Sequence, residues 1–107
     1  MPAVARANGT DTVFSPDGEG PGKPNCRLPL NTNTGPATVT NVLIEGVPVV
    51  VEGDLPAAHN RTGCIPDTQV LSTFSSKVFV NGKPIGRIGD NYGDNIITSG
   101  SSKVFAG

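Results

Sequence analysis

Cys26, His59 and Cys64 are the residues of this 107-residue chain best suited to chemistry: they are its only two cysteines and its only histidine. Imidazole and thiolate are the preferred ligands of zinc, and a structural zinc site normally closes with four ligands in a tetrahedron. His59 and Cys64 share one loop, with four residues between them, and Cys26 stands in an earlier loop. The same residues allow other readings. A cysteine with a histidine is the minimum for a thiol nucleophile and its base, but no family signature surrounds either cysteine, and no helix N-terminus is in view to lower a thiol pKa. A disulfide is open in principle, although the lack of a secretion signal gives it little support. Both cysteines could also be buried as small hydrophobes beside a solvated loop histidine. Carboxylates offer less. Asp54 and Asp90 each follow a glycine at equivalent positions of a repeat, which suits turn residues accepting backbone N–H bonds at a strand end better than a glycosidase pair. Asp11, Asp17, Asp67 and Asp94 lie in Gly- and Pro-rich loops in the same way. Catalysis is the weaker reading.

The elements that must position these loops are written as a repeat. Val42 to Asp54 matches Val78 to Asp90 without a gap, at an offset of 36 residues. Ser101-Ser102-Lys103-Val104-Phe105 then repeats Ser75-Ser76-Lys77-Val78-Phe79, and Pro2-Ala3-Val4-Ala5-Arg6 resembles Pro84-Ile85-Gly86-Arg87 with a one-residue slip. Such repetition signals one supersecondary unit used several times, and here the two ends can pair to complete a unit. Each copy reads as a β-hairpin. Val78-Phe79-Val80 leads into Asn81-Gly82, a strong type I′ turn signal, and Pro84 opens a return strand from Ile85 to Ile88 that Gly89-Asp90 ends. The copy at Val42 has Glu45-Gly46 in the turn and Pro48 in the same place. Between hairpins the expectation is loops: Gly9 to about Thr38, Leu55 to about Gln69, and Asn91 to Asn95. A structureless loop as long as the first is uncommon unless it is functional or tied down. No stretch has helical periodicity. The fold class is all-β, one domain over residues 1–107, with roughly three hairpins.

Composition narrows the function classes. Fourteen glycines and ten prolines would suggest disorder, but 36% hydrophobic residues and a net charge of −1 oppose it. With a pI near 5.6 and no basic cluster there is no footprint for nucleic acid or an anionic membrane surface. No apolar run is long enough to span a bilayer, and the first residues lack a signal-peptide core, so a soluble chain outside the ordinary export route is expected. Three short hairpins bury too little surface to be comfortably stable alone. A metal, a disulfide or an oligomeric partner is the expected staple.

The repeat resembles a known family. The N-terminal Pro-Ala-Val-Ala-Arg, the segment Val78 to Asp90 and the terminal Ile96 to Gly107 are similar to the PAAR-repeat proteins, with Pro84-Ile85-Gly86-Arg87 and Pro48-Val49-Val50-Val51 as variants of the motif. The resemblance covers nearly the whole chain and is strongest in its C-terminal half. It implies a small cone of three β-hairpins about a pseudo-threefold axis, capping the blunt end of a trimeric β-helical spike. It further implies a structural spike tip with no catalysis of its own, which sharpens the spike for piercing an envelope. The chain alone is expected to be a monomer, one copy per spike trimer, without nucleic-acid or stable membrane partners.

The family's metal, usually zinc, with iron as another possibility, is held by His and Cys from the inter-repeat loops. Carried over by position, the ligands are His59 and Cys64, which follow Gly53-Asp54, and Cys26 from the first loop. The loop after Gly89-Asp90 departs from the family, offering Asn91-Tyr92-Gly93-Asp94-Asn95. Asp94, Tyr92 or a water is left for a fourth position. The resemblance points to the baseplate spike tip of a contractile phage tail, made in the host cytoplasm and carried in the virion for host entry. A type VI secretion spike tip is the alternative, and the absence of a toxin domain after Gly107 favours the phage. Val47, Val49 and Ile85 are the residues expected to dock on the spike.

Overall fold

The computed structural model describes residues 1–16, 29–61 and 63–107, so Cys26 and Asp17 lie outside the described residues. Ten short strands run in chain order: β1 Thr12–Ser15, β2 Leu30–Asn33, β3 Leu43–Ile44, β4 Val47–Pro48, β5 Asn60–Arg61, β6 Ile65–Pro66, β7 Phe79–Val80, β8 Lys83–Pro84, β9 Asn91–Tyr92 and β10 Asn95–Ile97. Among the described residues there is no helix. The two repeat hairpins form as their turns dictate. Asn81 and Gly82 have φ of 51° and 79°, and Glu45 and Gly46 have 53° and 82°, so both turns carry the two positive φ values of type I′. β3 pairs with β4 as Leu43↔Pro48, and β7 with β8 as Phe79↔Pro84. The third unit is closed by the chain ends: Ala3 bridges Phe105, Val4 N–H donates to Val104 O, and Ala106 N–H donates to Pro2 O.

Of the expected return strand from Ile85 to Ile88 only the first residue stays with its own hairpin, Ile85 N–H donating to Val78 O at 3.2 Å. After the proline each repeat crosses to its neighbours. Arg6 bridges Val49, Val51 bridges Ile85, and Arg87 bridges Val4, so three segments pair in a closed cycle. The hydrogen bonds at its centre are cyclic too: Ala5 N–H to Gly86 O at 3.0 Å, Gly86 N–H to Val50 O at 2.8 Å, and Val50 N–H to Ala5 O at 3.2 Å. Ala5, Val50 and Gly86 are therefore pseudo-threefold equivalents, which fixes Arg6, Val51 and Arg87 as the next set. The ring also explains why the repeats diverge there. A Cβ on Gly86 would stand 3.1 Å from Leu71 and 3.2 Å from Val50. Three large side chains cannot meet at one axis, and the set is Ala, Val and Gly.

A carboxylate seals each third of the ring. Asp11, Asp54 and Asp90 accept the backbone N–H of Arg6, Val51 and Arg87 at 2.7, 3.0 and 2.8 Å. Asp54 and Asp90 thus act as backbone acceptors at strand ends, as their position after glycine suggests. Arg6 and Arg87 fold back onto the same carboxylates, Nε to Oδ2 at 3.0 and 2.9 Å. Where the middle repeat has Val51 in place of arginine, the Thr38 hydroxyl donates to Asp54.

The ring separates two apolar clusters. On the hairpin side Val4, Val39, Val49, Val51, Ile85 and Ala106 are buried, flanked by Val42, Ile44, Val80 and Val104. On the other side lie Ala5, Ala7, Val13, Val50, Leu71, Tyr92 and Ile97. The inter-hairpin loops turn out to carry strands over this second cluster. β1 and β2 interrupt the expected loop from Gly9 to Thr38, and they join β9 and β10 in a sheet of order β2-β1-β10-β9, with Val13 opposite Ile97. The body is 40 Å long with short extents of 23 and 22 Å, near-equal as an axial repeat requires.

Two consequences bear on docking. Val49 and Ile85, expected from the sequence to face a spike, are 0% and 3% exposed and belong to the core. The exposed equivalents are their hairpin neighbours Leu43, Phe79 and Phe105, at 54%, 55% and 49%. They alternate with the inward Val42, Ile44, Val80 and Val104, as period-two strands require. A separate packing constraint falls on Gly35, where a Cβ would sit 2.3 Å from Leu55 O and 2.8 Å from Pro56 O. Because these atoms are backbone they cannot swing away. Gly35→Ala is expected to destabilise by about 3 kcal/mol, the upper range of core overpacking, as read from the urea midpoint.

Candidate functional site

The loop from Leu55 to Gln69 contains a hairpin of its own. β5 and β6 pair as Asn60↔Pro66 and Arg61↔Ile65, and Gly63 and Cys64 turn the chain with φ of 91° and 58°. Asp67 N–H donates to His59 O at 2.9 Å, which carries the pairing one step beyond the strands. The hairpin thereby sets His59 and Asp67 side by side at its root and leaves Cys64 at its turn.

His59 and Asp67 form a buried pair, with side chains only 3% and 1% exposed and Nε2 3.1 Å from Oδ2. The other ring nitrogen, Nδ1, lies 2.8 Å from Ala57 O. Both neighbours of the ring are acceptors, so both nitrogens can donate only when the ring is protonated. Asp67 is held from the far side. It accepts from Gln69 N–H at 3.0 Å, from Gln69 Nε2 at 3.2 Å and from Asn95 Nδ2 at 3.0 Å. Asn95 also donates to Tyr92 O, and Gln69 Oε1 accepts from Asp94 N–H, so the network ties the hairpin to β9 and β10. Burial alone would push the Asp67 carboxyl up. The hydrogen bonds from Asn95 and Gln69 and the neighbouring His59 outweigh it, and the group lies below the usual carboxylate range. A cavity of about 350 Å³ opens beside the pair, walled by Pro36, Leu55, Pro56, Ala58 and Pro66.

Of the residues singled out in the sequence, His59 is buried in this network. Cys64 is exposed at the turn and disulfide-bonded. The other cysteine, Cys26, lies outside the described residues. Asp94 is exposed. Tyr92 is fully buried in the second core cluster, and its hydroxyl has no hydrogen-bond partner among the described residues. Burial, reinforced by the charges of Asp54 and Asp11, raises the Tyr92 hydroxyl well above its ordinary value, so it stays protonated. The residue that sequence reasoning passed over is Asp67, read there as a turn acid. The available signal was its spacing: His59 and Asp67 are equidistant from Gly63, so a turn there brings them together.

In this oxidised state the donors do not fit a metal. His59 Nε2 is engaged with the Asp67 carboxylate at 3.1 Å, the Cys64 sulfur is spent in a disulfide, and the described residues hold no group of three His, Cys, Asp or Glu side chains placed to share an ion. The same disulfide leaves Cys64 no thiolate with which to act as a nucleophile.

A ring of three crossed hairpin units, closed by the two ends of a single chain, defines a pseudo-threefold all-β repeat protein. The chain belongs to the PAAR motif family, whose model matches residues 32–94, more than half its length. No curated protein compared with it matches. Membership makes it a structural spike-tip protein of the kind found in type VI secretion and phage-like tail machinery, with a spike protein as its partner.

Proposed function

We propose that this protein caps the trimeric β-helical central spike of a contractile phage tail and sharpens it for piercing the host envelope. One copy sits on each trimer. The observation that carries this reading is the cyclic ring of Ala5, Val50 and Gly86. A single chain that closes on itself by a pseudo-threefold axis presents three equivalent surfaces, and a true threefold trimer presents three equivalent sites to meet them. The exposed Leu43, Phe79 and Phe105 repeat around that axis and supply an apolar contact for each spike chain. Function is then mechanical, with the protein placed at the baseplate tip of the virion.

A metal belongs to this reading in the reduced chain, where Cys26, His59 and Cys64 are the proposed ligands of one structural ion, zinc or iron. When bound, such an ion would supply folding free energy where the protein is too thin for an apolar core. Mixing the purified chain with the spike trimer and measuring the mass of the complex tests the proposal. One chain per trimer is expected, and three would refute the cap. A type VI secretion spike offers the same threefold end, so parallel mixing with both kinds of spike assigns the machine.

A further inference from the structure

We propose that the spike end capped by this protein presents one carboxylate per chain, and that Lys77 and Lys103 meet two of the three. The inference rests on the cap proposed above and adds the chemistry of its partner. At this end of the molecule the three hairpin units are joined in a cycle, each tip to its neighbour. The Ser75 hydroxyl donates to Gly107 O, the Ser101 hydroxyl donates to the Glu45 carboxylate, and Asn81 Nδ2 donates to Asn41 Oδ1 at 2.9 Å. Glu45, Asn81 and Gly107 are equivalent tip positions, each two residues after the anchors Leu43, Phe79 and Phe105, which pair with Pro48, Pro84 and Ala3. Two residues before the same anchors stand Asn41, Lys77 and Lys103, all exposed. Lys77 runs along the neighbouring tip, where a Cβ on Gly107 would stand 3.5 Å from its Cδ and 3.9 Å from its Nζ.

The lysine charges are unspent within the chain. Asp11, Asp54, Asp67 and Asp90 are buried and accept N–H donors. Glu45, in the first hairpin turn, accepts from Ser101 and stands 3.6 Å from Arg6 Nη1. Among the described residues neither Lys77 nor Lys103 enters an ion pair. A chain of net charge −1 thus carries open cations two residues from the exposed Phe79 and Phe105. Charge set beside an apolar contact selects a partner of opposite sign. A purely apolar spike rim would strip water from both ammonium groups and return nothing, whereas a carboxylate pairs with them. Beside Leu43 the equivalent residue is the uncharged Asn41. A true threefold spike repeats one group at all three places, so one carboxylate is left without a cation whichever way round the cap sits.

The test is a gain of affinity. Asn41→Lys supplies the third cation and should tighten binding of the full chain to the purified phage spike trimer by about two- to fivefold, the range of one exposed ion pair. Asn41→Gln alters the same contact with Asn81 without adding charge and should leave affinity within about twofold. Lys77→Glu with Lys103→Glu turns two attractions into repulsions, and binding should weaken by about 20-fold or more at about 50 mM salt. Both differences should shrink at about 0.5 M salt, where exposed charges are screened. The substituted side chains are exposed, so melting temperatures should match the parent. A complex of one chain per trimer whose affinity ignores salt and all of these substitutions overturns the inference and leaves the cap standing. A chain that forms no complex with the spike overturns both. Vesicles of anionic phosphatidylglycerol are the control for a lipid partner: binding to them that the double lysine reversal abolishes, with the spike complex unaffected, overturns the assignment to a spike carboxylate.

Discussion

Replacing Leu43, Phe79 and Phe105 together by aspartate is expected to weaken binding to the spike trimer by about 100-fold or more, while leaving the fold intact. All three side chains stand about half exposed in the isolated chain. Their removal opens no cavity in either core cluster, and a melting temperature within a few degrees of the parent is expected. In the complex they are the large apolar anchors of three equivalent contacts. Losing two good anchors already costs about 3 kcal/mol, which corresponds to the stated factor. Single substitutions sharpen the argument. If the cap matches a true threefold, Phe79→Asp and Phe105→Asp should weaken binding to a similar degree, because each faces an identical spike chain. Val49 and Ile85 substitutions should instead lower stability, since these side chains are buried in the hairpin-side core. Titration calorimetry with the parallel melting curves separates the two classes. Unchanged affinity in the triple variant would refute the assignment of this face.

Much of the hairpin tier was legible because its local signals are strong. Asn81-Gly82 demands two positive φ values, and Glu45-Gly46 adopts them as well, imposed by the same register of flanking residues. The equivalence of Asp54 and Asp90 was visible as acids following glycine, and both serve as backbone acceptors. Asp11 was not recognised as the third member, because the first repeat is cut by the chain ends and its acid follows arginine by five residues in place of three. The crossing of Ile85 to Arg87 onto neighbouring repeats was also hidden. An alternating strand reads the same whichever partner it pairs with, so local sequence cannot name the partner. The second tier failed for a related reason. β2 is Leu-Asn-Thr-Asn, without an apolar face, and it is a strand only because β1 supplies four paired positions. The His59–Asp67 pair depends on the turn that Gly63 and Cys64 make between β5 and β6, and that turn lacks the Asn-Gly or Asp-Gly pair that announces a hairpin register.

Asp11→Asn is expected to destabilise the chain by about 3 kcal/mol, in the range for charged hydrogen bonds broken at a buried acceptor. The Asp11 side chain is 1% exposed and accepts from Arg6 N, Nε and Nη2 and from the Ser99 hydroxyl. An asparagine there keeps the shape but turns an NH₂ group toward these donors, so it should be no milder than alanine. For a domain of this size the loss corresponds to a fall in melting temperature of roughly 10–20 °C. The same carboxylate sets the acid limit of the fold. Burial tends to raise it, but Arg6 and Ser99 prevail and hold it below the usual carboxylate range. Because its folded pKa is depressed, its stabilisation is complete above the unfolded value of about 4 and is lost as pH falls below that toward the folded pKa. Asp67 shifts in the same direction and adds to the slope. Melting temperature should therefore be flat above about pH 5 and fall steeply below about pH 4. The Asp11→Asn variant should start lower and fall less, since one of the titrating groups is gone. A variant with the parent's full acid slope would show that Asp11 is not the group being protonated.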